Sequence, residues 1–123
     1  MHKTGIGAAC LAFLFAASAA QAQDPVVVGP NLYKQLMDNP RVRVLEVTFA
    51  PGDEMPAHSH PDHLGYVVEA GTLTITGADG KAQVHEFKLG DTVWLPATTH
   101  SAKNTGTTQV RVLVVELKEA APK

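Results

Sequence analysis

The chain contains a single cysteine, Cys10, close to its start. No intrachain disulfide can form, whatever the redox state of the compartment. Aromatic residues are scarce as well, with one Trp, two Tyr and four Phe. Ten Lys and Arg stand against twelve Asp and Glu, a net charge of -2, with no basic run or stripe. Without a cationic footprint or a stacking platform, nucleic acid is excluded as an expected partner. Long apolar runs are missing too: the stretch from Ile6 to Ala17 is shorter than the roughly 20 residues that span a bilayer. No long helical pattern competes with the β signals described below.

The N-terminus carries a different signal. Met1-His2-Lys3 is a short positive start, Ile6 to Ala17 an apolar segment, and Ala20-Gln21-Ala22 a small-x-small cleavage pattern. Residues 1–22 are therefore expected to be a secretory signal peptide, cleaved after Ala22, which directs the protein to the periplasm or outside the cell. Cys10 precedes most of the apolar run, which disfavours a lipoprotein. The mature chain is expected to be free of the membrane. It is one small domain, near the lower limit for a self-sufficient core, so packing, a metal or a partner subunit must stabilise it. A homodimer is expected.

Asp24 to Pro30 reads as an extended arm, and the i, i+4 pairs Leu32/Leu36 and Tyr33/Met37 predict a short helix between Asn31 and Pro40. Residues 23–40 thus form an N-terminal arm. Beyond Arg41 the pattern turns to β. Short runs rich in Val, Leu, Ile and Thr are punctuated by Pro51-Gly52-Asp53, Gly71, Gly77-Ala78-Asp79-Gly80, Gly90-Asp91 and Thr105-Gly106, and end in a strand from Val110 to Leu117. This rhythm predicts an all-β sandwich or barrel over residues 41–118, with residues 119–123 as a tail.

Chemistry concentrates in His58-Ser59-His60-Pro61-Asp62-His63 and in His100. Imidazole is the commonest protein metal ligand, and residues two apart on a strand share a face, so His58 and His60 could hold a cation between them. His63 would lie on the opposite face by strict alternation, but Pro61-Asp62 breaks the count. It could be a fourth ligand, a general base beside the metal, or a surface residue.

With these residues placed, the chain resembles the cupin superfamily of small jelly-roll barrels. Gly52, five residues, His58-Ser59-His60 and the closing Gly71 follow the first cupin motif, while Leu64 stands where that motif has glutamate. Gly90, five residues and Pro96, then His100, three residues and Asn104, follow the second, with one residue fewer between Pro96 and His100 and Thr98 at a glycine position. The resemblance covers Arg41 to Leu117. It implies that His58, His60 and His100 hold a mononuclear divalent metal (Fe, Mn, Zn, Cu or Ni), with His63 a further candidate. It also implies dioxygenase, isomerase or lyase chemistry on a small molecule. Three neutral imidazoles leave open positions on the metal, and the missing carboxylate favours anionic substrates.

Two bland alternatives accompany this reading: a degenerate barrel that has lost its metal, and a periplasmic module that binds a small ligand or metal without turnover. Tyr66 is the aromatic residue most able to offer a hydroxyl inward, and with His63 it is the candidate catalytic group. Trp94, Phe49 and Phe87 are expected in the core, His85 in a structural or exposed position, and Asp62 in a solvated loop.

Overall fold

The computed structural model describes residues 23–119. The expected signal peptide at residues 1–22, with Cys10, and the end of the tail at residues 120–123 lie outside the described residues. A one-turn helix, α1 (Pro25–Val28), precedes nine strands: β1 (Tyr33–Asp38), β2 (Val42–Phe49), β3 (Glu54–His60), β4 (His63–Glu69), β5 (Gly71–Gly77), β6 (Ala82–Phe87), β7 (Thr92–Leu95), β8 (Thr98–Asn104) and β9 (Val110–Leu117). They form two antiparallel sheets, one in the order β1-β2-β9-β4-β7 and the other β3-β8-β5-β6.

The core lies between the sheets and follows the period of two. Leu45, Val47 and Phe49 alternate inward from β2, Val67 from β4, and Val110 and Val114 from β9; Met55, Leu73 and Ala102 face them from β3, β5 and β8. Each large apolar side chain buried this way contributes roughly 1.5–3 kcal/mol. β3 departs from plain alternation. Met55 pairs with Ala102 and His58 with His100, so three residues on β3 answer two on β8. This one-residue bulge at Pro56-Ala57 lets Met55, His58 and His60 all face inward.

The N-terminal region differs from the sequence-based expectation. The arm from Asp24 to Pro30 contains α1, capped by the Asp24 carboxylate, which accepts from the Val26 N–H at 2.9 Å. The helix predicted between Asn31 and Pro40 is strand β1, paired along β2. An edge strand satisfies the backbone through β2, whereas a helix would have needed a cover for Leu36 and Met37, which remain about half exposed. Trp94 is also misplaced by the core expectation: it is 57% exposed on the outer face of β7.

Asn104 joins the ends of three segments. Its buried amide donates to the Phe49 carbonyl at 3.0 Å and the Thr108 carbonyl at 2.8 Å, and its side-chain oxygen accepts from the Gly106 N–H at 3.0 Å. Its own carbonyl accepts from Gly52 N–H, where a φ of 87° places glycine in the left-handed turn after Pro51. Asn104→Ala should leave the buried Phe49 carbonyl without this donor, strip the half-buried Thr108 carbonyl and Gly106 amide of theirs, and destabilise the fold by about 1–3 kcal/mol. A urea denaturation midpoint unchanged from wild type would contradict this role.

Candidate metal centre

Three histidines meet at one end of the core. His58 and His60 alternate inward after the bulge in β3, and His100 on β8 is the direct cross-strand partner of His58. Ring centroids are separated by 4.9 Å (His58 to His60), 4.7 Å (His58 to His100) and 5.3 Å (His60 to His100). One nitrogen from each ring lies within 4.8 Å of the other two, and among the described residues this trio is the group of His, Cys and carboxylate side chains so arranged.

His63 opens β4 on its inward face, with Gly65 and Val67 following in phase, and is 3% exposed. The surface reading of this residue is thereby corrected: Pro61-Asp62 turns the chain and resets the alternation. Its ring lies 4.5 Å from that of His60 and 6.5 Å from that of His100, beside the trio and outside the 4.8 Å group. Tyr66 takes the opposite phase with Leu64 and is 44% exposed, so the hydroxyl expected inward from β4 points out. Asp62 stays in its exposed loop and accepts from the Ala97 N–H at 2.8 Å.

The orientation of these rings follows from their outer nitrogens. His58 Nδ1 lies 2.8 Å from the Pro56 carbonyl and His63 Nδ1 2.7 Å from the Pro61 carbonyl. A carbonyl only accepts, so both Nδ1 atoms donate, and in the neutral rings both Nε2 atoms keep their lone pairs. His60 Nδ1 lies 2.7 Å from Oε2 of Glu116, a carboxylate that likewise accepts. Glu116 is 3% exposed and stands opposite His63 across β4 and β9. Burial works against its charge, but the hydrogen bonds from His60 and Arg43 prevail and hold it below the usual carboxylate range.

Desolvation is the main cause that keeps His58, His63 and His100 neutral. It pulls His58 down to about 4 against the Pro56 hydrogen bond, and His100 down to about 3, with the neighbouring imidazoles adding to the effect. His63 is lowered by burial as well. Tyr33, whose hydroxyl lies 3.4 Å from His60 Nε2, is raised, first by burial and then by the charge of Glu116, and so keeps its proton.

These residues line a cavity of about 70 Å³, walled otherwise by side chains such as Phe49, Leu73 and Val114. Gly65 contributes no side chain; a Cβ there would come within 3.3 Å of Val93 and 3.4 Å of Val112. Ile75, Phe87, Val93, Leu95 and His100 belong both to this cavity and to an open groove of about 350 Å³, where Gln83, His85 and Lys81 also sit. The site therefore communicates with the surface between β6 and β7.

The donor set fits a divalent transition metal. His58 Nε2 is buried with no hydrogen-bond partner, an atom left with a lone pair and nothing to accept from. Neutral imidazoles at mutual distances within 4.8 Å can converge on one cation, and each outer nitrogen of His58 and His60 already has the acceptor that metal-bound histidines require. Tyr33 and Glu116 escaped the sequence reading. Tyr33 lies in a segment with helical spacing, but Glu116 carries a usable signal: it continues the inward phase of Val110, Val112 and Val114.

Comparison with known proteins agrees with this fold. The family model described as "Cupin domain" matches residues 45–116. A cupin domain structure from Bordetella pertussis Tohama I has 26% identity and a TM-score of 0.67, covering 72% of this chain and 93% of that one. A Cupin 2 conserved barrel domain protein from Salinispora arenicola has 24% identity and a TM-score of 0.56, covering 76% and 80%. A double-stranded β-helix domain protein from Klebsiella pneumoniae has 21% identity and a TM-score of 0.58, covering 72% and 84%. Searching the curated proteins yields no match.

The lowered histidines make the metal-free protein acid-sensitive. Folded His58 and His100 take up protons at about 4 and about 3, whereas in the unfolded chain they do so near 6.5. Between these values the unfolded state binds more protons, so stability is full above about pH 6.5 and declines as pH falls towards 4, at up to about 1.4 kcal/mol per pH unit for each residue. Urea midpoints of metal-free protein across this range should fall with pH, and His100→Ala should flatten the slope. A slope equal to that of wild type would refute the assignment.

Proposed function

The chain belongs to the cupin-domain family, and from that premise we propose that it carries a mononuclear divalent metal on His58, His60 and His100 and acts on a small molecule admitted through the groove between β6 and β7. The observation that carries this reading is the convergence of the trio within 4.8 Å around the unpartnered Nε2 of His58. Bound there, a transition metal such as Fe, Mn, Zn, Cu or Ni supplies Lewis acidity and a template for dioxygenase, isomerase or lyase reactions. The residues around it have separable tasks. The imidazoles bring no negative charge, and the Glu116 carboxylate is already engaged by His60 and Arg43, which favours an anionic substrate. Tyr33 keeps its proton and donates a hydrogen bond into the cavity. His63, outside the trio, offers an Nε2 lone pair that accepts a proton from a molecule held beside it. The apolar walls exclude water.

The second reading, a binding module without turnover, is favoured by one observation: no carboxylate lines the cavity, among the described residues. The two readings share the metal site and differ in what His63 does.

We further propose that the protein is an exported homodimer. The outer face of the five-stranded sheet carries an apolar row across every strand, Met37, Val44, Val115, Leu64 and Trp94, in direct cross-strand register. Met37 and Trp94 are each more than half exposed. A second copy related by a two-fold axis would cover the same row with itself.

Elemental analysis of protein purified from the periplasm should find one first-row metal per chain, lost in His60→Ala. His63→Ala should retain the metal, and should abolish turnover of small carboxylic acids if the protein is an enzyme while leaving ligand binding intact. Metal-free wild type that takes up no first-row metal on reconstitution would refute the site. Trp94→Glu should convert a dimer into a monomer in sedimentation velocity, and a wild-type monomer at all concentrations would refute the dimer.

A further inference from the structure

The buried carboxylate opposite the trio belongs to a longer chain of contacts. Glu116 Oε1 accepts from Arg43 Nε at 2.7 Å while Oε2 accepts from His60 Nδ1 at 2.7 Å, so each oxygen serves one donor. Arg43 is held in turn by Asp24, whose Oδ2 accepts from its guanidinium at 2.7 Å, and the other oxygen of Asp24 caps α1. The side chains are 17% (Arg43), 4% (Glu116) and 26% (Asp24) exposed, so the inner link is dry. The same N-terminal segment is fixed to β3 at the residue between two of the histidines: Ser59 N–H donates to the Gln23 carbonyl at 2.8 Å and Ser59 Oγ to Gln23 Oε1 at 2.7 Å.

We infer that Glu116 is the positioning residue of His60, and that Arg43, anchored by Asp24, fixes which oxygen faces the imidazole. His58 and His63 have a backbone carbonyl two residues earlier as acceptor for Nδ1. The Nδ1 of His60 is instead partnered by a side chain brought from β9, 56 residues away. Only a side chain that accepts at both atoms can serve Arg43 and the Nδ1–H together. The arrangement keeps the His60 proton on Nδ1 and directs the Nε2 lone pair towards the trio. Glu116 thus supplies a carboxylate to a site whose motif has Leu64 in place of an acid, but behind the histidine instead of on the metal.

The inference rests on the metal-site reading for its affinity measurement and not for its tautomer measurement. In metal-free wild type with nitrogen-labelled histidine, nuclear magnetic resonance above the imidazole range should show His60 protonated on Nδ1. Glu116→Gln puts the amide oxygen on Arg43, a donor only, and the amide N–H on His60, which should move the His60 proton to Nε2. Cobalt(II) affinity should then fall roughly 10- to 100-fold, while Glu69→Gln, at the half-exposed pair with Arg111 away from the trio, leaves it unchanged. Wild-type His60 protonated on Nε2 overturns the inference. So does a folded Glu116→Gln protein that keeps the Nδ1 proton and binds cobalt within about twofold of wild type. If that variant does not fold, the wild-type tautomer decides alone. If wild type binds no cobalt, the metal-site reading fails while the tautomer still tests Glu116.

Discussion

Three buried imidazoles and a half-buried fourth, side by side in a small apolar interior, can coexist only if they are kept from charging together. Two charged rings within 5 Å in a medium of low dielectric would repel strongly; burial holds His58, His63 and His100 neutral, and the fold also decides where the protons sit. For His58, His60 and His63 that decision is made at Nδ1, by an acceptor at 2.7–2.8 Å. Once these protons are fixed outward, the lone pairs have nowhere to go but the cavity. Burial of the cluster, its neutrality and its capacity for a metal are therefore one property seen from three sides.

The two sheets divide the task unevenly. The four-stranded sheet presents the trio, since His58 and His60 come from β3 and His100 from β8. The five-stranded sheet provides the surroundings: Tyr33 from β1, Arg43 from β2, Glu116 from β9 and His63 from β4. β9 does double service, because Val110 and Val114 build the core while Glu116, in the same phase, reaches the histidines. Stability of the barrel and geometry of the site cannot be tuned independently along that strand.

Much of this was legible in the sequence. Turn residues gave the strand boundaries after Arg41, and the spacing of His58, His60 and His100 within the two motifs identified the three residues that the fold brings together. What escaped had physical reasons. The pairs Leu32/Leu36 and Tyr33/Met37 satisfy a helical period, but the free edge of β2 claimed that segment through backbone pairing, which leaves no trace in side-chain pattern, and Tyr33 was hidden with it. His63 is undecidable, and Tyr66 is expected inward where it points out, because a two-residue turn containing proline resets alternation. The repeated Pro-x-His of Pro56-Ala57-His58 and Pro61-Asp62-His63 held the clue, since each proline carbonyl anchors the ring that follows. Glu116 was visible only as an acid in the phase of valines.

The bulge at Pro56-Ala57 has a bearing on how this barrel tolerates change in length. Because one extra residue on β3 brings His58 and His60 into phase with Met55, losing a residue there would keep the strand paired and turn both imidazoles to the outside in a single step. At the turn between Gly77 and Ala82, by contrast, added or lost residues leave the register of β3 on β8 untouched and alter only the rim of the groove that the turn lines. Insertions and deletions, more than substitutions, are thus the changes to which the centre is most exposed, and a lineage of such barrels can exchange its loops freely only while this one irregular residue is kept.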